Sequence, residues 1–479
     1  MTGFSATAVD TVASVVLLTS FFVLVYYVLI NGNYLLLHLL ALLELDETVD
    51  HANWTPAYER FSSPFLPGVA IVVPAYNESA TVASSVRAML ALNYPAFELV
   101  VVNDGSTDAT LDRLIEAYDL VEVDADVPVE VPCEPIRAVY RSREHDDLII
   151  VDKENGGKSD ALNAGVWITD MPLFCAVDAD TLLDRDALMR IVRPFLRDPE
   201  KTVAVGGTIR VVNDCTVEHG QVTDVRLAEN TLVGLQVMEY LRAFYSGRLG
   251  LSRIRGLILI SGAFGVFRTD LVREIGGYRH DSITEDFELV VRMHKHLVDD
   301  GRPYEMKFLP DPVAWTEVPE SRRVLGRQRR RWYRGMLDTL VTHRGVLFRR
   351  KYGRVGMYVL PVYLFAEALG PLIEGFGYVL LPIAWLVGIV DAWFVLAFFL
   401  LTSGFGVFLS WFGVFSEVWT FNRYNRPREV LSLLGDAVLE NIGYRQWKTL
   451  QAWRGLYEYV RGVESWGVME RSGFGDEGS

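Results

Sequence analysis

The sequence is poor in cysteine and has no surplus of positive charge. Its three cysteines, Cys133, Cys175 and Cys215, lie far apart and show neither a disulfide framework nor the spacing of a metal site, which fits a reducing compartment. The 46 Lys and Arg residues are outnumbered by 61 Asp and Glu residues, so the net charge is −15. Because binding to a phosphate backbone requires a large basic surface, this composition argues against nucleic acid as the main partner.

Charged residues are also absent from a long stretch near the N-terminus, residues 11–43. As one helix this stretch would be roughly 50 Å long, against a hydrocarbon core of about 30 Å. We therefore expect it to protrude from the membrane or to bend near Asn31-Gly32-Asn33. A cleaved signal peptide is the alternative, which the length of the run and the lack of a preceding Lys or Arg disfavour.

A second apolar block covers residues 357–418, with breaks expected at Glu374-Gly375 and at Asp391, so it predicts two or three membrane crossings. Carboxylates at Glu367 and Glu374 should face protein or water rather than lipid. Twelve Lys or Arg residues and one acid occupy residues 322–354, directly before this block, and mark the cytoplasmic side.

The tail after residue 420 is also basic and aromatic, and predicts a helix that lies on the membrane or under the soluble domain. If the tail is cytoplasmic too, the number of crossings after residue 355 must be even. We therefore expect residues 357–374 to lie in the membrane interface or to re-enter the membrane.

Alternating strand and helix patterns fill the soluble region between the two apolar regions. Short β-branched runs predict strands at residues 69–75, 98–104, 148–153 and 173–180, and helical patterns lie between them, as at residues 81–92 and 159–168. Buried strands that alternate with helices predict a mostly parallel α/β sheet, whose ligands bind at the carboxyl ends of the strands.

Polar residues follow each of these four strands. They are Asn77-Glu78, Asp104-Gly105-Ser106, Asn155-Gly156-Gly157-Lys158 and Asp178-Ala179-Asp180. Each group has a local alternative explanation, because Asp and Thr cap helices and paired glycines form turns. Four such groups at one sheet edge nevertheless favour a binding site.

The residue types at this edge suit a phosphorylated ligand. Two carboxylates one residue apart, Asp178 and Asp180, can hold Mg²⁺ or Mn²⁺ and leave its other positions to phosphate oxygens. Lys158 follows two glycines, so its ammonium group and the loop amides are predicted to meet the same phosphates. A Walker A loop is excluded, because Asp152 stands where that motif requires glycine.

Seven motifs occur in order between residues 69 and 335: "PAYNES", "VVNDGSTDAT", "NGGKSDALNAG", "VDADT", "SGAFGVFR", "ITEDFEL" and "RQRRRW". Together they resemble the membrane-integrated, processive family 2 glycosyltransferases, the group that holds the cellulose, hyaluronan, chitin-oligosaccharide and poly-N-acetylglucosamine synthases. The stretch "AWTEVPES" resembles the N-acetylglucosamine branch most. The resemblance implies a GT-A-type, mostly parallel α/β sheet flanked by helices, with N- and C-terminal transmembrane helices.

The resemblance also implies roles for single residues on the donor side. Asp104 would contact the uracil or ribose of a uridine diphosphate sugar, in a pocket lined by the segment around Ala75, Tyr76 and Glu78. Asp178 and Asp180 would meet the sugar diphosphate and a metal, Mg²⁺ or Mn²⁺. With the physical argument for Lys158, the predicted donor-binding residues are Ala75, Tyr76, Glu78, Asp104, Lys158, Asp178, Gln328 and Arg331.

On the acceptor side, Asp286 of the Thr284-Glu285-Asp286 motif would be the general base. Gln328, Arg331 and Trp332 match the Gln-x-x-Arg-Trp signature of processive members. The predicted acceptor-binding residues are Trp332, Glu285 and Gly262. An indole offers a flat apolar face for a sugar ring, and neighbouring arginines attract a diphosphate.

Two of these assignments have structural alternatives. Ser282 to Glu285 also form a capping-box pattern before an amphipathic helix at residues 286–298. Trp332 is alternatively an interfacial anchor, with Arg329 to Arg331 facing lipid phosphates.

A second Asp-Ala-Asp, at residues 124–126, lacks a preceding buried strand, so we assign it to a surface loop; the stretch 121–147 around it has no derived role.

The predicted organisation is a transmembrane helix at 1–45, a linker at 46–67, a cytosolic glycosyltransferase domain at 68–345, interfacial and transmembrane helices at 346–420, and an amphipathic cytosolic tail at 421–479. The favoured hypothesis is an inverting synthase of the cell membrane that adds a sugar, N-acetylglucosamine, from a UDP-sugar to a growing β-linked polysaccharide.

Two alternatives stay open at this point. One is a non-processive enzyme that adds a single sugar to a lipid-linked acceptor such as a polyprenyl phosphate. The other is an inactive membrane scaffold or export subunit. Because the chain has few membrane segments, an export partner or a second copy is also expected.

Overall fold

The computed structural model describes residues 6–54, 66–124, 131–421, 423–424 and 426–463. Its strands are β1 Val69–Ala75, β2 Phe97–Asp104, β3 Leu120–Val123, β4 Ile136–Ser142, β5 Leu148–Lys153, β6 Leu173–Ala176, β7 Leu182–Leu183, β8 Thr202–Val211, β9 Thr216–Glu218, β10 Gln221–Asp224, β11 Gly265–Arg268 and β12 Glu305–Thr316.

The α-helices are α1 Ala6–Trp54, α2 Val82–Leu90, α3 Thr110–Tyr118, α4 Lys158–Ile168, α5 Ala187–Ile191, α6 Arg193–Arg197, α7 Thr231–Arg242, α8 Leu249–Arg253, α9 Thr269–Glu274, α10 Glu285–Asp299, α11 Arg322–Thr342, α12 Leu360–Val362, α13 Gly370–Leu386, α14 Ala392–Phe399, α15 Phe405–Thr420, α16 Pro427–Leu439 and α17 Arg445–Val460. Wider π-helical turns join several of them, as at Ala243–Arg248 between α7 and α8.

A ten-stranded mixed sheet has the order β3-β4-β5-β2-β1-β6-β11-β8-β12-β7. Its centre, β5-β2-β1-β6, is parallel, and residues such as Val72 pair with Val100 on one side and Ala176 on the other. The middles of these strands are apolar, as expected for a parallel sheet that helices cover on both faces. The mostly parallel α/β sheet predicted from the sequence is confirmed, although antiparallel strands extend it on both sides.

The sheet differs from the sequence prediction at the end of one strand and in one stretch at its edge. The fourth predicted strand ends at Ala176, because Asp178 to Asp180 already form a turn. The stretch 121–147 contains most of β3 and all of β4, which pair antiparallel at the sheet edge. Of the Asp-Ala-Asp at 124–126, Asp124 follows β3 in irregular structure, whereas the two other residues lie outside the described part of the chain.

Helix α1 runs without interruption over 49 residues, roughly 70 Å, which exceeds the hydrocarbon core of about 30 Å. The predicted bend near Asn31-Gly32-Asn33 is wrong. A glycine costs a helix only about 1 kcal/mol, and both asparagines have partners outside α1: Asn31 donates to the Leu401 carbonyl at 3.0 Å, and Asn33 accepts from the Tyr358 hydroxyl. Tertiary contacts therefore keep this segment helical.

Three helical segments in the described residues are long and apolar enough to cross a membrane: Val16–Leu45, Val355–Leu386 and Ala392–Thr420. Two of these candidate segments follow the soluble domain in the sequence. The interfacial position expected for residues 357–374 stays a prediction.

The predicted break at Glu374-Gly375 is wrong, because both residues lie inside α13 and the regular helix is interrupted at Leu369 instead. Glu374 remains inside the helix because it has protein partners, as predicted for this carboxylate. It accepts from Arg445 Nε at 2.9 Å and from the Thr449 hydroxyl at 3.1 Å.

Two sets of contacts fasten the soluble domain to the C-terminal helices. Arg210 of β8 and Glu417 of α15 form a fully buried ion pair, and Arg210 Nη2 donates to the Tyr245 hydroxyl at 2.7 Å. Helix α17 packs along α11, where Arg330 Nε lies 2.7 Å from Glu458. The helix predicted for the tail therefore lies against the soluble domain.

Helices α10 and α11 approach each other closely at Gly335. A Cβ atom at this position would overlap the side chain of Thr284, which directly precedes α10. Gly435 in α16 is also a mid-helix glycine, but the space around it is open.

We expect Gly335→Ala to lower the midpoint of thermal unfolding, because overpacking costs about 1–3 kcal/mol and exceeds the gain in helix propensity of about 1 kcal/mol. Gly435→Ala is the matched control and should raise the midpoint slightly. Equal shifts in the two variants would contradict the close contact.

Candidate functional site

The loops that follow β1 and β2 are interlocked at one edge of the sheet. Asn77, which has a positive φ of 56°, accepts a hydrogen bond from the Thr107 amide at 2.8 Å, and its own amide donates to the Ser106 hydroxyl at 3.0 Å. The amide of Glu78 donates to the Thr110 hydroxyl at 2.8 Å. These contacts fix the segment that carries Ala75, Tyr76 and Glu78 beside the end of β2.

Asp104, at the end of β2, is buried and accepts four hydrogen bonds. The donors are Lys153 Nζ at 2.8 Å, the Gly156 amide at 2.9 Å, the Gly157 amide at 2.8 Å and Asn155 Nδ2 at 3.2 Å. The prediction that the loop amides meet phosphates is therefore wrong, because the Asp104 carboxylate is the anion that they bind. The capping alternative for Asp104 is also wrong, since α3 begins after Ala109.

Lys153 is a buried cation that the sequence reasoning did not single out. Its side chain is 0% exposed and forms ion pairs with Asp104 and with Asp160. The sequence contained a signal for it: a lysine at the end of an apolar strand, followed within seven residues by an acid on a helix. The three charges together fix the loop of residues 154–157 between β5 and α4.

Lys158, the first residue of α4, joins two parts of the chain that are far apart in sequence. Its Nζ lies 2.6 Å from Asp178 Oδ1, beyond β6, and 3.0 Å from Glu285 Oε1, at the start of α10. Burial lowers the pKa of Lys158, but the charges of Asp178 and Glu285 outweigh this effect, so its pKa is raised and the ammonium form is retained.

Asp286 is held beside this cluster by two backbone amides. Its Oδ2 accepts from the Gly262 amide at 3.0 Å and its Oδ1 from the Phe287 amide at 2.8 Å. Burial and the neighbouring Glu285 raise the pKa of Asp286, and Lys158 opposes them. The capping-box alternative is wrong, because α10 begins at Glu285 and Thr284 makes no side-chain capping bond.

Gln328, Arg331 and Trp332 lie on α11 at positions i, i+3 and i+4, so they share one helix face. All three line a large cavity, and the Trp332 side chain is 36% exposed. The lipid-facing alternative is wrong for two of the neighbouring arginines. Arg329 pairs with Glu239 and lies 4.5 Å above the Trp332 ring, whereas Arg330 pairs with Glu458.

The cavity has a volume of about 1080 Å³ and extends from the acidic cluster to the candidate membrane helices. Nine of the predicted site residues line it: Lys158, Asp178, Asp180, Gly262, Glu285, Asp286, Gln328, Arg331 and Trp332. The other four, Ala75, Tyr76, Glu78 and Asp104, lie outside its wall at the ends of β1 and β2. Asp104 accepts a hydrogen bond from the Gly157 amide, and Lys158 is the next residue. This loop therefore connects the four residues at the strand ends to the nine in the cavity wall.

The sequence reasoning missed the far half of the cavity. Polar and aromatic residues of α1 line it, namely Tyr27, Asn31, Tyr34 and His38, together with Glu367 and Glu374. The α1 residues recur at intervals of four, three and four, which places them on one helix face. That periodicity within an apolar helix was the signal, and it marks the side of α1 that faces protein.

The pair Asp178 and Asp180 fits a divalent cation by its chemistry. Both carboxylates line the cavity one residue apart at the end of β6, and oxygen donors are what Mg²⁺ and Mn²⁺ prefer. In the described residues, side-chain ligands in a group of three occur elsewhere, at Glu274, His296 and Asp300 on the surface. A cation on Asp178 and Asp180 would therefore take its remaining ligands from a bound molecule and water.

The model of the family described as "Glycosyltransferase like family 2" matches residues 67–335. Poly-beta-1,6-N-acetyl-D-glucosamine synthase of Staphylococcus aureus is 29% identical over 296 residues, which are 62% of this chain and 60% of that protein. The synthase of the same description from Staphylococcus epidermidis is 28% identical over the same shares. The match thus spans about three fifths of the length of these relatives.

A solved mannosyltransferase from Pyrobaculum calidifontis, in complex with GDP-Man and Mn²⁺, is similar in fold. The TM-score is 0.51 at 18% identity, and the likeness covers 85% of this chain and 99% of that one.

We expect Lys153→Met to destabilise the protein strongly, because the change leaves Asp104 and Asp160 buried without their cation. Removing one partner of a buried ion pair typically costs about 3–5 kcal/mol. The midpoint of thermal unfolding measures this loss, and cleavage by protease at residues 154–157 should increase. Lys201→Met, at an exposed pair with Asp198, is the control; an equally mild effect of both changes would contradict the role of Lys153.

Proposed function

The chain belongs to glycosyltransferase family 2, and we propose that it transfers a sugar from a UDP-sugar to a growing β-linked polysaccharide, with inversion at the anomeric carbon. One observation carries this proposal: a single cavity contains the acids at 178, 180 and 286, the indole of Trp332 and the space between the candidate membrane helices. The relatives named above favour N-acetylglucosamine as the transferred sugar.

On the donor side, the nucleotide would bind along the ends of β1 and β2, near Tyr76 and Asp104. The diphosphate would then reach Asp178, Asp180 and Lys158, and Arg331 approaches from the opposite wall. A divalent cation held by Asp178 and Asp180 would neutralise charge that develops on the leaving diphosphate. Lys158 carries a positive charge at the same place and would bind the phosphate oxygens directly.

Asp286 is suited to accept the proton of the attacking sugar hydroxyl. Its carboxylate is oriented by the amides of Gly262 and Phe287. Burial and Glu285 raise its pKa, which makes the carboxylate a stronger base. As the hydroxyl oxygen bonds to the anomeric carbon, its proton passes to Asp286 and the diphosphate leaves from the opposite face. An α-linked donor therefore gives a β-linked product.

The polar groups in the lining of the cavity suit a polysaccharide acceptor. Trp332 offers a stacking surface in the cavity that Asp286 also lines, and the wall carries hydroxyl, amide and carboxylate groups such as Tyr34, Asn31 and Glu367. The Tyr34 hydroxyl donates to Glu367 at 2.7 Å. Sugar hydroxyls hydrogen-bond to such groups.

We further propose that the protein lies in the cell membrane, with the catalytic domain in the cytosol. The basic segment at residues 322–354 supports that side. The growing chain would leave between the three candidate spans, and a second copy or an export partner would complete its path across the membrane.

We expect Asp286→Asn to abolish sugar transfer while binding of the UDP-sugar stays within about twofold, because the amide cannot accept the proton. Loss of a general base typically costs a factor of about 10²–10⁴. Product formation and calorimetric donor binding measure the two effects. Asp281→Asn, at an exposed pair with Arg279, is the matched control, and full turnover by the Asp286 variant would refute the assignment.

Removal of divalent cations with a chelator should stop transfer, and Mg²⁺ or Mn²⁺ should restore it. In Asp180→Asn the cation concentration for half-maximal activity should rise, because one of two protein ligands loses its charge. Asp300→Asn, in the surface cluster with Glu274 and His296, should leave that concentration unchanged. Full activity in chelator would exclude the cation site.

A further inference from the structure

Arg248 is a cation in the wall of the cavity for which the proposed reaction has so far no role. It ends the π-helical turn Ala243–Arg248 between α7 and α8. Its guanidinium group lies 4.1 Å from the centre of the Phe244 ring. Its Nη1 atom is buried and has no hydrogen-bond partner among the residues that the structure describes.

A buried guanidinium nitrogen without an acceptor costs free energy, because it has lost its water. Burial accordingly lowers the pKa of Arg248, and the groups near enough to oppose this are Tyr363, Asp286 and Tyr240. Arg248 lines the same cavity as Asp286 and as Tyr363 of the second candidate membrane span. That position is on the acceptor side of the reaction.

Two further buried atoms that line the same cavity are also without partners in the described part of the chain. They are Oε1 of Gln328, which can only accept a hydrogen bond, and Oγ1 of Thr284, which can donate and accept. With Arg248, three residues of the lining thus carry a buried polar atom that no described protein group satisfies: a donor, an acceptor and a hydroxyl. A saccharide carries complementary groups of all these kinds.

The group that faces Arg248 must accept hydrogen bonds, because a guanidinium only donates them. A carbonyl, a carboxylate and a phosphate qualify, and a hydroxyl fits less well since its own proton has to be placed elsewhere. The surrounding charges disfavour an anion. Asp286 and Glu367 line the same cavity as Arg248, and Asp286 is among the charges that act on its guanidinium group. A neutral carbonyl is the remaining choice.

We propose that Arg248 binds the carbonyl oxygen of an N-acyl group on the acceptor saccharide, beside the hydroxyl group that Asp286 deprotonates. This inference rests on the proposed function, and it makes Arg248 a residue that selects the acceptor. A fixed carbonyl would also set the rotation of the terminal sugar on Trp332. The same contact would therefore help to decide which hydroxyl faces Asp286.

The test is direct binding of two acceptors to the full-length protein in lipid nanodiscs with UDP present. The acceptors are a tetrasaccharide of N-acetylglucosamine and the tetrasaccharide of glucose with the same linkage, and calorimetry gives both dissociation constants. Hydrogen bonds to charged groups are strong enough that Arg248→Met should weaken binding of the N-acetylated saccharide about tenfold or more. Binding of the glucose saccharide should change less than about twofold.

Two variants accompany Arg248→Met. Arg248→Lys keeps the positive charge and a hydrogen-bond donor, so it should keep part of the preference for the N-acetylated saccharide. It replaces Arg248→Met in the test if that variant does not fold. Arg255→Met, at an exposed arginine paired with Glu305 outside the cavity wall, should keep the full preference.

Equal weakening of both saccharides by Arg248→Met would overturn the proposal, because Arg248 would then only shape the wall. So would weaker binding of UDP itself, an Arg248-dependent preference for a polyprenyl phosphate, or failure of the wild-type protein to bind either saccharide. Failure of the proposed function gives a different result: the saccharide preference persists, but no sugar is transferred.

Discussion

The Lys158 ammonium group, shared between Asp178 and Glu285, is the contact on which the arrangement of the site depends. It connects the end of β6 to the start of α10, more than one hundred residues further along the chain. Two carboxylates in one wall would repel each other without a cation between them. The loop before Lys158 is itself held by Asp104, which is in turn paired with the buried Lys153. Hydrogen bonds and ion pairs therefore connect the end of β2 to the end of β6 and to Glu285, the neighbour of Asp286 in the chain.

The acidic composition and the arginine cluster are reconciled by the same principle of local pairing. The arginines of α11 are distributed over different partners, since Arg329 binds Glu239 and Arg330 binds Glu458. These acids come from α7 and α17, so the helix that carries Trp332 is held from both sides. Part of the positive charge that looks unbalanced in the sequence is therefore paired in the fold. Arg248 is different, because it lines the cavity and its buried Nη1 atom has no acceptor among the described residues.

Much of the fold was predictable because short apolar runs followed by polar residues identify parallel strands and their ends. The strands at β1, β2 and β5 and the helices α4 and α10 lie within a few residues of the predictions. The prediction of a bend in α1 was wrong, since Asn31 and Asn33 bind partners more than three hundred residues away. The prediction that the Gly156 and Gly157 amides bind phosphates was wrong for a similar reason, because their acceptor, Asp104, lies on another strand. No pattern within a short segment contains such partners.

By itself, the sequence determined the order of the elements, the sheet edge at which polar residues gather and the apolar segments that can enter a membrane. Periodicity and turn chemistry act over a few residues, and they suffice for these features. Only the tertiary structure decided that Asp286, Trp332, Arg248 and the polar face of α1 line one cavity. That cavity is formed by α1, the π-helical turn before α8, α11 and the C-terminal helices. Their side chains meet because the packing of distant segments, and not any local pattern, brings them to one cavity.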